Sequence, residues 1–204
     1  MKAKHVISIK DLSVDDIEEI FDLAKKLKAE GKFARAESLK GKTLGLIFQK
    51  PSLRTKVSFA VAMAQLGGTA IYLAPEEVKL GEREAVKDVA RTLSRYLDGI
   101  VARTFKHADI VGLAEYSQVP IINGLSDFSH PCQALSDLFT VKEKKGTLKG
   151  LKLAFVGDGN NVCNSLLMAS VRLGVDVAVA VPKGYEPEKE VVKTALDFAA
   201  VNGS

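Results

Sequence analysis

Thr43-Leu44-Gly45-Leu46-Ile47-Phe48-Gln49-Lys50-Pro51-Ser52-Leu53-Arg54-Thr55-Lys56 runs from an apolar segment through a proline turn into a polar segment that can start a helix. The apolar half suits a strand buried on both faces, the habit of parallel sheets. Pro51 ends it, and Ser52 is a residue type that caps helices. A strand that feeds a helix directly is the first half of a crossover unit, because parallel neighbours cannot be joined by a tight turn.

Working outward, the same alternation repeats. A helix is predicted from about Ser52 to Leu66, stopped by Gly67-Gly68, then a strand Thr69 to Leu73 and a helix from about Glu84 to Leu97. A strand Ile100 to Ala102, a helix His107 to Tyr116 and a strand Val119 to Ile122 follow. Pro131 stands where its missing N–H costs nothing, at the first position of a long helix whose apolar face is Ala134, Leu135, Leu138 and Val141. Upstream, Ser13 with Asp16 three residues later reads as a helix start. Ile17, Ile20, Phe21, Ala24 and Leu27 follow at helical spacing, with Gly31 as the stop and a basic linker ending in Gly41. The fold class is therefore α/β, a parallel sheet flanked by helices.

Lys142-Glu143-Lys144-Lys145-Gly146 closes this region in charge and glycine, which puts a domain boundary near it: residues 1–146, then residues 147–204. The second unit holds a strand 151–156, a Gly157-Asp158-Gly159 turn, a helix from about Asn161 to Leu173, a strand Val175 to Val181 and a helix from about Glu188 to Val201. Two strands and two helices bury too little to stand alone, so this is an incomplete doubly wound domain.

In 204 residues, 47% hydrophobic and 26% charged content matches average globular domains and excludes disordered or collagen-like chains. The net charge of +4 comes from scattered basic residues, so it is weak evidence for nucleic acid and leaves an anionic small molecule equally open; no nucleic-acid partner is expected. No apolar run approaches the roughly 18 residues of a membrane helix, and Met1-Lys2-Ala3-Lys4 does not open a signal core but a polar strand-like stretch. A cytoplasmic chain with no membrane partner is expected. Cys132 and Cys163 are too few for a disulfide framework and lie in no metal-spaced cluster with His5, His107 or His130, so no metal is expected.

Chemistry concentrates at three strand-to-helix junctions. At Ser52-Leu53-Arg54-Thr55, helix N–H groups, two hydroxyls and a guanidinium meet at the carboxyl edge of the sheet, which describes an anion site; a plain cap beside a surface arginine reads as well. Arg103 ends another strand and converges with Arg54 if both strands share one sheet; alone, it reads as a solvated charge. His130 and Gln133 flank Pro131 and can donate to a carbonyl oxygen, although a histidine before a helix is commonly a satisfied cap and Cys132 is most simply a core residue. Gly157-Asp158-Gly159 has Val162 where a dinucleotide loop needs a third glycine, so that signal is weak. Asn160, Asn161 and Asn164 add a polar cluster there.

Together, Ser52-Leu53-Arg54-Thr55-Lys56, Arg103-Thr104, His130-Pro131-Cys132-Gln133 and Gly157-Asp158-Gly159-Asn160-Asn161 resemble the aspartate/ornithine carbamoyltransferase family, most closely its ornithine members. Asn123-Gly124-Leu125-Ser126-Asp127 and Pro182-Lys183-Gly184-Tyr185-Glu186-Pro187 extend the likeness over essentially the whole chain. The resemblance implies a carbamoyl-phosphate-binding domain followed by an ornithine-binding domain, with transfer of the carbamoyl group to the δ-amine of ornithine, no cofactor, and a homotrimer or multiple of trimers. It assigns the phosphate to Ser52, Arg54, Thr55 and the main-chain N–H of Leu53. Arg103 reaches phosphate and carbamoyl oxygen, His130 and Gln133 hold the carbamoyl group, and Asn161 holds the amino-acid end of ornithine. Arg54, Arg103 and His130 carry the catalysis.

Four positions depart from the family pattern. Leu53 stands for threonine, Lys56 for arginine and Ala60 for an acid, while Lys79 takes the place of a glutamine sent into the neighbouring subunit's site. The Ser-Met-Gly and His-Cys-Leu-Pro segments that complete the family's site have no counterpart in these 204 residues, so the chain alone is expected to be inactive. Aspartate or acetylornithine remains open as the second substrate, with Asn161 and the Cys132 context leaning to ornithine. A non-catalytic phosphate- or dinucleotide-binding module is the alternative from another class.

Overall fold

The computed structural model describes residues 1–31 and 37–202. The linker expected after Gly31 falls partly outside them. Ser13 caps α1 (Val14–Ala29) through a capping box in which its hydroxyl accepts from the Asp16 N–H and the Asp16 carboxylate accepts from the Ser13 N–H. A one-turn 3-10 helix, Ile9–Asp11, precedes it. The strand-like N-terminus contributes a single bridging residue, Val6, whose N–H donates to Ile121 O at 2.8 Å.

The alternation then unfolds as β1 (Thr43–Phe48), α2 (Leu53–Gln65), β2 (Thr69–Leu73), α3 (Pro75–Val78), α4 (Val86–Leu93), β3 (Gly99–Arg103), α5 (His107–Tyr116), β4 (Ile121–Leu125) and α6 (Pro131–Lys145). The four strands form one parallel sheet in the order β2-β1-β3-β4. Its two faces follow the pleat. Leu44, Leu46 and Phe48 pack with Met63 of α2, whereas Ile47, Ile100 and Ala102 pack with Val89, Ile110 and Leu113 of α4 and α5.

Local chemistry corrects three expected boundaries. The strand predicted at Val119 to Ile122 begins at Ile121, because Pro120 has no N–H and the Ser117 hydroxyl holds Val119 in a turn, accepting its N–H at 3.1 Å and donating to its carbonyl at 2.8 Å. The helix predicted from Glu84 to Leu97 spans only Val86–Leu93. Glu84 is engaged in a bridge with Leu80, and the Ser94 hydroxyl at the other end folds back to donate to Ala90 O at 2.6 Å. The short α3, which has no apolar periodicity to announce it, starts at Pro75.

After Gly146 come β5 (Lys152–Val156), α7 (Asn161–Arg172), β6 (Asp176–Ala180) and α8 (Lys189–Asn202). β5 and β6 form a separate two-stranded parallel sheet with one face on the helices; the other is open, leaving Val156 81% exposed. The core beneath this sheet is shared across the chain. Ile17 and Phe21 of α1, Leu135 and Leu138 of α6, and Leu166, Met168 and Val171 of α7 form one buried cluster with Val191 of α8. No helix among the described residues is long and apolar enough to cross a membrane.

Candidate active site at the carboxyl edge of the first sheet

Parallel pairing sets Phe48 of β1 opposite Arg103 of β3, so both strands end at the same edge, and the α2 N-terminus follows directly from β1. Ser52 is extended (φ −156°) and caps α2, accepting the Thr55 N–H at 3.4 Å and bonding the Thr55 hydroxyl at 2.9 Å. The register between β3 and β4 slips at Ala102/Arg103, so that Arg103 faces Leu125 and Gly124 is skipped. Such a bulge re-aims a side chain at a sheet end. Gly124 keeps that end narrow: a Cβ there would lie 3.1 Å from Val101 Cγ1 and 3.6 Å from Thr55 Cγ2.

These elements enclose a cavity of about 400 Å³ into which Ser52, Arg54, Thr55, Arg103, His130 and Gln133 all face. Arg54 in the first turn of α2, Arg103 at the end of β3 and His130 at the start of α6 thus line one cavity. No carboxylate lines the cavity, and among the described residues neither Arg54 nor Arg103 has an acidic partner. Burial, and then the charge of Arg54, lowers the proton affinity of Arg103, whose Nε is buried without a hydrogen-bond partner. Burial and the charge of Arg103 in turn push the His130 imidazole down to about 4. The ring is therefore neutral at pH 7. His130 occupies the cap position of α6, but its side chain makes no capping bond and its Nδ1 is buried without a partner, against the expectation of a satisfied cap. An exposed guanidinium, a partly buried one and a partly buried imidazole, all without counter-charges, are chemically suited to an anion whose oxygens would act as acceptors.

Other expected positions lie elsewhere. The Leu53 side chain is 78% exposed and outside the cavity lining, although its N–H sits in the first turn of α2, where no intrahelical carbonyl can satisfy it. Asn161 lines a different cavity of about 730 Å³ beside His107, Asp127 and Glu188, and its amide nitrogen is already used, donating to Ser126 O at 2.6 Å. Lys79, in a left-handed conformation (φ 42°), lines a third hollow with Gln49 and Phe105. Gln133 faces the anion cavity while its amide nitrogen donates to Asp137 at 2.9 Å.

Sequence reasoning missed Ser58, Phe59, Leu125 and Ser136, which complete the lining. Ser58 was discoverable, since it lies one helical turn beyond Arg54. Cys132, read as a core residue, also lines the cavity, where burial pushes its thiol up to about 11 and its Sγ donates to Asn123 O at 3.5 Å. Among the described residues no group of three or more His, Cys, Asp or Glu side chains could hold a metal ion.

The glycines of the 157–159 turn have a reason of their own. A Cβ on Gly159 would lie 2.4 Å from Pro187 N and 2.6 Å from Tyr185 O, so the chain's own backbone occupies the space that its missing side chain leaves.

Two family models match the chain: the carbamoyl-phosphate-binding domain of aspartate/ornithine carbamoyltransferase over residues 4–143, and the aspartate/ornithine-binding domain over residues 149–204. The chain is 52% identical over all 204 residues to an ornithine carbamoyltransferase of Pyrococcus horikoshii, and 51% identical to a Pyrococcus furiosus protein named as the anabolic ornithine carbamoyltransferase. It spans 64% of the first relative's length and 65% of the second's. Among solved structures, the Pyrococcus furiosus ornithine carbamoyltransferase superposes with a TM-score of 0.97 at 51% identity, covering 99% of this chain and 65% of that one. The Thermus thermophilus enzyme gives 0.90 at 48% identity, covering 96% and 68%. With both family domains matched in order along its length, the chain belongs to the aspartate/ornithine carbamoyltransferase family.

Proposed function

We propose that this chain carries the carbamoyl-phosphate site of an ornithine carbamoyltransferase, which transfers the carbamoyl group to the δ-amine of ornithine and releases citrulline and phosphate in arginine biosynthesis. The observation that carries the proposal is the cavity shared by Arg54, Arg103 and His130, without a carboxylate among its lining residues. The names of the relatives support ornithine over aspartate or acetylornithine.

Attack of a neutral amine on the carbamoyl carbon builds negative charge on the carbamoyl oxygen and then on the departing phosphate. Fixed donors stabilise that charge most where no solvent must reorganise. Arg54, Ser52, Thr55 and the Leu53 N–H would hold the phosphate. Arg103 would bridge phosphate and carbamoyl oxygen, and neutral His130 would donate one ring N–H to that oxygen, while the proton lost by the amine would leave on the departing phosphate. Gln133 would orient the carbamoyl group. Asn161, engaged with Ser126, would meet ornithine only through the part of its amide left free.

The same proposal includes a cytoplasmic homotrimer, or a multiple of trimers, assembled through the first domain. Leu53, Val57 and Val61 form an exposed stripe at four-residue spacing on α2, which supports an interface there. Lys79, outside its own anion cavity, would serve the site of a neighbouring copy.

Calorimetric titration tests the reading against the dinucleotide-binding alternative. Uptake of carbamoyl phosphate without uptake of a nicotinamide dinucleotide is expected, and the reverse would refute it.

A further inference from the structure

Three side chains on one face of α7 reach across to the segment between β4 and α6. Asn161 donates to Ser126 O at 2.6 Å and Asn164 donates to Phe128 O at 3.1 Å. Ser165 Oγ accepts the His130 N–H at 2.9 Å and shares a 3.1 Å bond with the Ser129 hydroxyl. The spacing i, i+3, i+4 sets the three donors and acceptors on one helical face. Their targets, residues 126, 128 and 130, lie on a segment that bends at Asp127 and Phe128, where the Ser126 N–H donates to Ser129 O at 2.9 Å. Ser129 and Ser165 are fully buried and Asn164 is 3% exposed, while Asn161 borders the larger cavity.

This clasp ends on the residue whose ring enters the anion cavity. The His130 N–H precedes the first turn of α6, and the helix cannot satisfy it. Its carbonyl is committed to that turn, accepting from Gln133 and Ala134, and Pro131 restricts its backbone from the other side. The Ser165 hydroxyl therefore supplies the remaining constraint. Without it a buried N–H loses its acceptor, and the backbone must move to recover one.

We propose that Ser165 is a positioning residue for His130: by holding the His130 N–H it keeps the imidazole in the anion cavity, so that a helix of the second unit sets the shape of a site formed by the first. The inference rests on the reading of that cavity as a phosphate site. Ser170 provides an internal control. It lies on the same helix, is equally buried, and its hydroxyl has no hydrogen-bond partner.

The test uses inorganic phosphate as the probe, with affinity read by calorimetry and the His130 ring followed by proton NMR, its signal identified by its loss in His130→Gln. Ser165→Ala is expected to weaken phosphate binding roughly 5- to 150-fold, the range for a buried donor left unpaired. The His130 titration midpoint should rise towards the ordinary imidazole value as the ring escapes burial. Ser165→Thr, which keeps the hydroxyl, should recover both readouts, and Ser170→Ala should change neither. If Ser165→Ala does not fold, Ser165→Cys, nearly isosteric but a weak acceptor, takes its place. Phosphate affinity within twofold of the parent with an unmoved His130 midpoint overturns the inference. So does an equal loss in Ser170→Ala, or a failure of Ser165→Thr to recover. A parent protein that does not take up phosphate overturns the functional reading instead, which separates the two failures.

Discussion

Arg103 is held under the positive charge of Arg54 with no carboxylate among the residues lining their shared cavity, and its Nε is buried without a partner. Like charges brought together in a half-buried site destabilise the free protein, and a bound dianion reverses the sign of that interaction.

Either arginine should therefore be indispensable to anion binding. Arg54→Ala and Arg103→Ala are each expected to weaken inorganic phosphate binding by roughly 10- to 150-fold, the equivalent of one charge-assisted hydrogen bond. For the carbamoyl transfer proposed above, the loss of one donor to the developing oxyanion corresponds to about 100- to 1,000-fold in kcat. Titration calorimetry and steady-state rates check these values, and near-parental behaviour of either variant sinks the assignment.

Acid should destabilise the protein through His130. Its folded pKa, about 4, lies below the unfolded value near 6.5, so between the two the unfolded chain binds the extra proton. Stability is complete above pH 6.5 and is lost as pH falls through the window to 4. His5 and His107, also lowered by burial, act in the same direction. They remain in His130→Gln, so the parent should lose more of its Tm than this variant between pH 7.5 and pH 5. Equal losses would show that His130 is not held neutral.

The buried cluster joining α1, α6, α7 and α8 predicts one cooperative unfolding transition, because helices before and after Gly146 share that core. Met168→Ala, at a position with no exposure, should cost about 2–5 kcal/mol. The loss should appear equally in a signal from the first sheet, such as Tyr72 fluorescence in a background where Tyr96, Tyr116 and Tyr185 are replaced by phenylalanine. Two resolved transitions in scanning calorimetry would contradict this coupling.

Gly159→Ala should destabilise the chain by roughly 1–3 kcal/mol, since its Cβ meets main-chain atoms of Tyr185 and Pro187 that cannot swing aside. Phosphate affinity should not change, because the anion cavity lies elsewhere. Denaturant midpoints and calorimetry check both halves, and a neutral substitution would remove the packing account of this glycine.

Much of the fold was legible because it depends on neighbours in sequence. The Ser13 capping box, the 43–56 strand-turn-helix passage and Pro131 at the start of α6 are each determined within a few residues. The less legible parts were those where a side chain or bridge a few residues away overrides the apolar pattern. β4 begins late because a serine side chain occupies the preceding turn, and α4 is shortened by Glu84 pairing with Leu80.

The anion site divides the same way. Residue types and order nominated Ser52, Arg54, Arg103 and His130 from sequence alone, since cap hydroxyls, guanidiniums and a proline-bounded histidine announce what they can bind. That Arg54 and Arg103 share a cavity was decided only by the parallel β1–β3 register and the bulge at Arg103. That Asn161 clasps the Ser126 carbonyl was decided by the packing of α7 on a loop 35 residues away. Composition and short-range spacing encode chemistry and local geometry; long-range pairing brings remote side chains to one point, and only the folded chain supplies it.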